Sequence, residues 1–422
     1  MAEFTSFKEP KGDADLIDAL WAGVNMPEGW KELNIGDNID VITGNSFEGD
    51  RFGETGELPL IKNKTVKQQS PEEYIDSDFD KKYLVKNQDL LVTMDGEFVP
   101  RIWKLGDAAL NQRVCKIVPR ENLSKMYLRY SLQDPLELLH SATAGTTVKH
   151  LSNYDFNRID LPVPPVDEQR RIASVLYSVD EQVRSLHDRH DELTRVKHGL
   201  MQDLLTGNTR VTPKIEVQKE VEWESEDLGN LLDKEDCMER VGKFFELING
   251  QKPEIAESGE HLYLNVDTLL GKEVEYTNDT DVPFASEKDT LMIVDGSRSG
   301  KVFRGKEGAV SSTMSALKPT EDINPEYLYQ LLSNQYNLIN AATIGSSIPH
   351  TDKTLVKSLE LFIPQLWEQE RIASVLYTID EMISRTNDLM DKYERLKQGL
   401  MQDLLSGDIR TPEDLEVIED II

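Results

Sequence analysis

The side chains with the most chemistry to offer are cations set in short loops. Lys62, Lys64 and Lys67 crowd one loop, Arg101 and Lys104 another, and Arg298, Lys301, Arg304 and Lys306 a glycine-containing third. Lysine and arginine donate to phosphate oxygens, and arginine can also give two parallel hydrogen bonds to a guanine edge. Two small-residue loops add hydroxyls and imidazoles: Thr146, Thr147, Lys149 and His150 follow Gly145, and Ser346, Ser347 and His350 follow Gly345. Backbone amides and hydroxyls in such loops suit phosphate oxygens. All of this is recognition chemistry. For each cation the plainer alternative is a solvated surface charge, and for each loop a structural turn before the last strand.

Bond-making chemistry finds no matching pattern. Gly296-Ser297-Arg298-Ser299-Gly300-Lys301-Val302 has too few residues between its glycines for a nucleotide phosphate loop, and valine where serine or threonine would hold magnesium. There is no NPPY or DPPY tetrapeptide of the kind used by amino-methyltransferases, and His187 with His190 lacks the HExxH spacing of a zinc site. Cys115 and Cys237, the only cysteines, have no metal-ligand or CxxC neighbour. We assign no catalytic residue, no metal and no cofactor to this chain. No run of 18 apolar residues exists and MAEFTSFKEPKGDAD lacks the apolar stretch of a signal peptide, so no membrane role and a cytoplasmic location are expected.

The charge is the awkward number. With 47 Lys and Arg against 77 Asp and Glu the chain carries −30, the wrong sign for a protein that simply coats phosphate. Such acidity reads as a salt-adapted surface or a partner-facing acidic face, leaving nucleic-acid contact to the local basic clusters.

The elements that position these loops are legible as a repeat. EQRRIASVLYSVDEQV from Glu168 returns as EQERIASVLYTIDEMI from Glu368, a shift of 368 − 168 = 200 residues, and KHGLMQDLLTGNTR from Lys197 returns at the same shift as KQGLMQDLLSGDIR. Upstream the match thins but persists: Asp95, Gly96, Pro119, Tyr127 and His150 match Asp295, Gly296, Pro319, Tyr327 and His350. The chain is a tandem duplication in which one block is kept and the other has drifted.

The kept block is a long helix. Pro164-Pro165 ends a strand, Asp167 is offered as N-cap and Gly207 as the stop, leaving about 38 residues or roughly 57 Å. Its apolar residues climb in sevens: Ile172, Val179, Leu186, Leu193 and Leu200, interleaved with Leu176, Val183, His190, Lys197 and Leu204. The second copy offers Ile372, Ile379, Thr386, Tyr393 and Leu400 with Leu376, Ile383, Met390, Lys397 and Leu404. Both seams are satisfied within one chain if the helices pack antiparallel. Arg171 and Arg371 stand beside them at the start of each helix. The preceding stretches, with short apolar runs such as QDLLVTM and DTLMIVDG between Gly, Pro, Asn and Asp, read as mixed α/β domains rich in short strands. The expected organisation is an extension 1–25, a first recognition domain 26–165, a helix 166–207, a linker 208–222, a second domain 223–365, a helix 366–407 and an acidic tail 408–422.

Together these features resemble the specificity subunit of Type I restriction-modification enzymes, over nearly the whole chain from Gly29-Trp30 to Arg410. AGTTVKHLSNYDFNRIDLPVPPVDEQRRIASVLYSVDEQV, its counterpart IGSSIPHTDKTLVKSLELFIPQLWEQERIASVLYTIDEMI, and the tails GLMQDLLTG and GLMQDLLSG carry the resemblance. It implies two target-recognition domains reading the halves of a split double-stranded DNA site, and helices that act as ruler and as docking surface for two methyltransferase subunits. Nuclease/translocase subunits would complete the assembly, with S-adenosylmethionine, ATP and Mg bound by those partners. Departures are Trp367-Glu368 for Asp167-Glu168, Pro364-Gln365 for the double proline, and the acidity. Without the resemblance, a coiled-coil scaffold that binds only proteins stays open.

Overall fold

The computed structural model describes residues 26–142, 149–211, 232–343 and 349–418. They form two compact units, one from Met1–Ser185 with Met390–Ile422 and one from Leu186–Leu389. The divisions fall inside both long helices, Val166–Leu204 and Leu366–Ser406, so each helix contributes to both units.

In the first unit a four-stranded antiparallel sheet runs in the order Ile39–Thr43, Val114–Pro119, Leu90–Thr93, Pro100–Ile102. Leu90–Thr93 is buried throughout, which is why it reads as an unbroken apolar run rather than an alternating one. Leu58–Ile61 runs parallel to Ala108–Leu110 in a second sheet of five short strands, and Lys31–Asn34 pairs with Asp160–Val163 just before the long helix. The second unit repeats this plan: Phe245–Asn249, Met314–Pro319, Thr290–Ile293, Val302–Arg304, then His261–Leu264 parallel to Gly308–Val310, and Met238–Arg240 against Glu360–Phe362. After the sheet each unit carries two helices, Lys125–Ser131 with Gln133–Ala142 and Pro325–Asn334 with Tyr336–Ala341. In the first copy Pro135 accounts for the break, because its ring excludes a continuous helix past the Ser131 carbonyl.

Within each unit the start of one long helix packs antiparallel on the end of the other. Ile172, Ala173 and Leu176 share a core with Met401, Leu404 and Leu405; Ile372, Ala373 and Leu376 share another with Met201, Leu204 and Leu205. Val179 and Ile379 are also buried, whereas Leu186, Leu193, Leu200 and Leu400 are only half-buried, following the polar middle of the ladder. These residues are seam and core.

The repeated Glu-Gln explains itself at the helix starts. Glu168 is buried and clasped by Arg410, with Nη2 at 2.6 Å, and accepts from the Trp30 indole at 3.1 Å; Glu368 is buried and clasped by Arg210 at 2.7 and 2.9 Å. Gln169 accepts from the Ser124 amide and donates to the Pro164 carbonyl, and Gln369 does the same with Asn324 and Pro364. A buried carboxylate without its cation would be strongly unfavourable, so these four residues are tied to this packing. Asp167 lies inside the first turn and does not cap it, since the helix begins at Val166 and Glu168 N donates to the Pro165 carbonyl. Gly207 does stop the first helix, at φ +70°, where a Cβ would also strike Phe362.

Candidate nucleic-acid interface

In the first unit Asp95, at the end of its central strand, gathers three groups. Its carboxylate accepts from His150 Nδ1 at 2.7 Å and from Arg113, and its carbonyl accepts from Asn63 Nδ2 at 3.0 Å. Burial pushes the Asp95 carboxyl up, but the hydrogen bonds from His150 and Arg113 outweigh it and hold the group below the usual carboxylate range. Beside it opens a cavity of about 350 Å³ flanked by Phe47 and Phe52 and lined by Lys62, Lys64, Asn111, Gln112 and Arg113. Asn63, also in its wall, keeps Oδ1 buried with no partner. Amides and guanidiniums are the groups that read adenine and guanine edges, and phenylalanine offers an apolar face to thymine methyl or to a base.

The second unit keeps the same joint with different surroundings. His350 Nδ1 lies 2.6 Å from Asp295 Oδ1, and in both copies the aspartate and histidine are also paired through the backbone. Thr313 stands where the first copy has Arg113. The turn Gly296–Gly300 is held rigid by Ser299, whose buried hydroxyl bonds the carbonyls of Gly296 and Pro349, and this leaves Arg298 outside.

The cations picked from the sequence differ in what holds them. Lys62 pairs with Glu73 and lies 4.4 Å from the centre of the Phe52 ring, Lys64 pairs with Glu72, Lys67 with Glu97 at 2.7 Å and Lys104 with Glu181 at 3.3 Å. Pairs this exposed contribute about 0–1 kcal/mol, so a phosphate can displace the carboxylate. Arg304 is different. It makes a forked pair with Glu326 at 2.6 and 2.7 Å and a further bond to Asp380; burial pulls its pKa down, but the bonds to Glu326 and Asp380 raise it overall. Nε and Nη2 of Arg304 thus hold Glu326 and the second long helix to the sheet, a structural role that the expected DNA contact would have to share. Arg298 and Lys306 are exposed and enter no ion pair with a described residue, and Lys301 lies 5.4 Å from the Phe303 ring centre. Lys149 donates to the His140 carbonyl. Thr146, Thr147, Ser346 and Ser347 lie outside the described residues. On the helices, Arg171 donates to Thr411 at 3.1 Å and Arg371 lies over Trp367.

Comparison with known proteins falls on this same plan. The Type I restriction modification DNA specificity domain matches twice, at residues 27–195 and 221–395. The chain belongs to the family of Type I restriction-modification specificity subunits. It is similar to the Type I restriction enzyme MjaVIII specificity subunit of Methanocaldococcus jannaschii, 24% identical over 92% of this chain and 95% of that one. A second relative is the EcoBI specificity subunit of Escherichia coli, 24% identical over 94% and 90%. Among solved structures, the S subunit of a Type I restriction-modification system from M. genitalium superposes with a TM-score of 0.64 at 14% identity, over 91% of this chain and 96% of that one. The specificity subunit is thus the DNA target-recognition component and not the catalytic one.

Asn63, Asn111, Gln112 and Arg113 carry no signal in the sequence, because they come together only when the start of the helix Asn63–Gln68 meets the turn before Val114–Pro119. A second apolar ladder lies on the outer face of the second long helix, Val375, Met382 and Leu389, exposed by 41–43% at intervals of seven. That ladder was visible as a third apolar heptad position. Asp95 and Asp295 could have been found too, since both members of each Asp-His pair persist at the shift of 200.

Proposed function

We propose that each unit reads one part of a split, asymmetric double-stranded DNA target while the specificity subunit docks two methyltransferase subunits and nuclease/translocase subunits. The observation that carries this reading is a shared joint inside unlike walls. Asp95–His150 and Asp295–His350 keep the same geometry, while Arg113 is replaced by Thr313 and the helix start Lys62-Asn63-Lys64 has no cationic equivalent at the same place. A common backbone contact with different base-facing groups is what two different half-sites require. The outward ladder Val375, Met382, Leu389 supports docking, because heptad-spaced apolar residues left on a helix surface suit a partner helix. S-adenosylmethionine, ATP and Mg belong to those partners, and the assembly works in the cytoplasm. Mapping methylated adenines in cells that express the assembly tests this: an asymmetric two-part motif is expected, and a continuous or palindromic motif refutes it.

A further inference from the structure

The ion clusters against the long helices are not equivalent in the two units. In the second unit Arg304 and Lys197 face Asp380 and Glu326, two cations to two carboxylates. In the first, Arg129 lies 2.6 Å and Lys397 2.7 Å from Asp180, while Arg101 stands beside Arg129 and makes no hydrogen bond or ion pair with a described residue. That is three cations to one carboxylate, a surplus of two. The cause is a set of substitutions between the copies: Met126 replaces the position of Glu326, and Arg129 that of Tyr329. Arg101 is half-buried, and its pKa is pulled down first by burial and then by the charge of Arg129.

Arg101 and Lys397 line a cavity of about 340 Å³ with Gln133, His140, Phe98 and Pro100. Glu97 and Glu137 also line it, and neither forms an ion pair with Arg101. Glu97 is held by Lys67 at 2.7 Å, and Glu137 is exposed, with its charge acting on Asp134. A half-buried guanidinium next to a second cation is unfavourable unless an anion completes it. We propose that this cavity binds a dianionic phosphate group, either inorganic phosphate or the terminal phosphate of a nucleotide. The arginine fork and the Gln133 amide supply donors, and a phosphate monoester carries about two charges near neutral pH, matching the surplus. A phosphodiester carries one and leaves the cluster unbalanced. The site is separate from the Asp-His joints and does not depend on DNA reading.

The test uses the full chain, with phosphorus NMR line broadening and thermal melting under added inorganic phosphate, adenosine monophosphate, or cyclic adenosine monophosphate as the diester control. Saturable binding of inorganic phosphate or the monophosphate is expected, the tighter of the two naming the source, with the cyclic diester at least about tenfold weaker. Arg101→Gln should weaken binding about tenfold or more, the usual worth of one charge-assisted bond, and Lys306→Gln should not change it. Gln133→Glu, which puts a carboxylate into the cavity, should abolish the phosphate response and leave a chain that melts no lower than wild type. Absence of saturable binding by either dianion, equal binding of the diester, or wild-type affinity in a folded Arg101→Gln chain would each overturn the proposal.

Discussion

Neutralising one carboxylate in each helix seam should have unequal effects although the two sites are repeats of each other. Asp180 accepts from the Tyr130 hydroxyl at 2.9 Å and balances Arg129 and Lys397, with its own side chain 19% exposed and that of Arg129 9%. In Asp180→Asn both Arg129 and Lys397 lose the carboxylate that pairs with them, and Arg101 loses a nearby opposing charge. Removing one partner of a buried pair costs about 3–5 kcal/mol, and the partial exposure here reduces that to about 2–4 kcal/mol. In Asp380→Asn the forked Arg304–Glu326 pair survives and only Lys197 is left alone, so about 1–2 kcal/mol is expected.

Hydrogen exchange of core amides is the suitable assay, because a chain with two units need not unfold in one step and each unit then reports its own stability. The expected result is a loss confined to the Leu90–Thr93 strand and its neighbours for Asp180→Asn, larger than the loss around Thr290–Ile293 for Asp380→Asn. The pH dependence has a fixed sign. Burial pushes both carboxyls up, but Arg129 and Lys397 around Asp180, and Lys197 and Arg304 around Asp380, hold them below the ordinary 3.8. A depressed folded pKa contributes stability that is present above 3.8 and lost as pH falls through the folded value. The gap between wild type and either variant should therefore persist at neutral pH and close below 3.8. Equal losses in the two units, or a larger one for Asp380→Asn, would refute the charge accounting.

Three further outcomes follow from the same geometry. Arg410→Ala and Arg210→Ala each leave a buried carboxylate without its cation and should lower the stability of their units, by about 2–4 kcal/mol for Arg210 and less for Arg410, whose side chain is 44% exposed, and only Arg410→Ala should shift Trp30 fluorescence, because the indole shares Glu168. Arg298→Ala with Lys301→Ala should weaken DNA binding by the assembled complex and flatten its salt slope by about two, whereas Arg304→Ala should lower the melting temperature of the second unit; a DNA-specific defect in Arg304→Ala would contradict its assignment as a strut. Inserting a matched heptad after Leu193 and after Tyr393 adds the same length to both helices between the pairs Asp180–Lys397 and Lys197–Asp380, so both pairs survive; the spacer of the target should grow by roughly 10 Å, about three base pairs, with weaker binding because the DNA must also be twisted, and unchanged spacing in a folded variant would mean the helices are not the ruler.

What was legible in the sequence is what repeats or has a period. The seven-residue ladder placed Ile172, Leu176, Ile372 and Leu376 in the seam before any contact was known, and antiparallel pairing followed from its symmetry. The recognition surface was less legible for two physical reasons. First, a cation's role depends on its neighbours in space: Arg304 and Arg298 lie in one loop region of the sequence, yet only Arg304 meets Glu326, which is 22 residues away. Second, the shift of 200 does not hold before the central strands. Thr43 pairs with Cys115 and its counterpart Asn249 with Ser315, a shift of 249 − 43 = 206, so residue-by-residue comparison across that stretch compares unlike positions.

The acidity ceases to be awkward once the charges are located. Lys62, Lys64, Lys67, Lys104 and Arg304 sit against carboxylates while Arg298 and Lys306 enter no ion pair with a described residue, so the net −30 does not describe the field at any one loop. Exposed pairs such as Lys64–Glu72 keep a lysine in place at little cost in free energy, so such a lysine exchanges its partner readily. A chain of net charge −30 is repelled as a whole by a polyanion, which discourages sequence-independent coating and leaves binding to places where donors and shape agree. A specificity subunit gains from this arrangement because its affinity for non-target DNA, carried by counterion release, falls further than its affinity for target DNA, which also draws on base contacts.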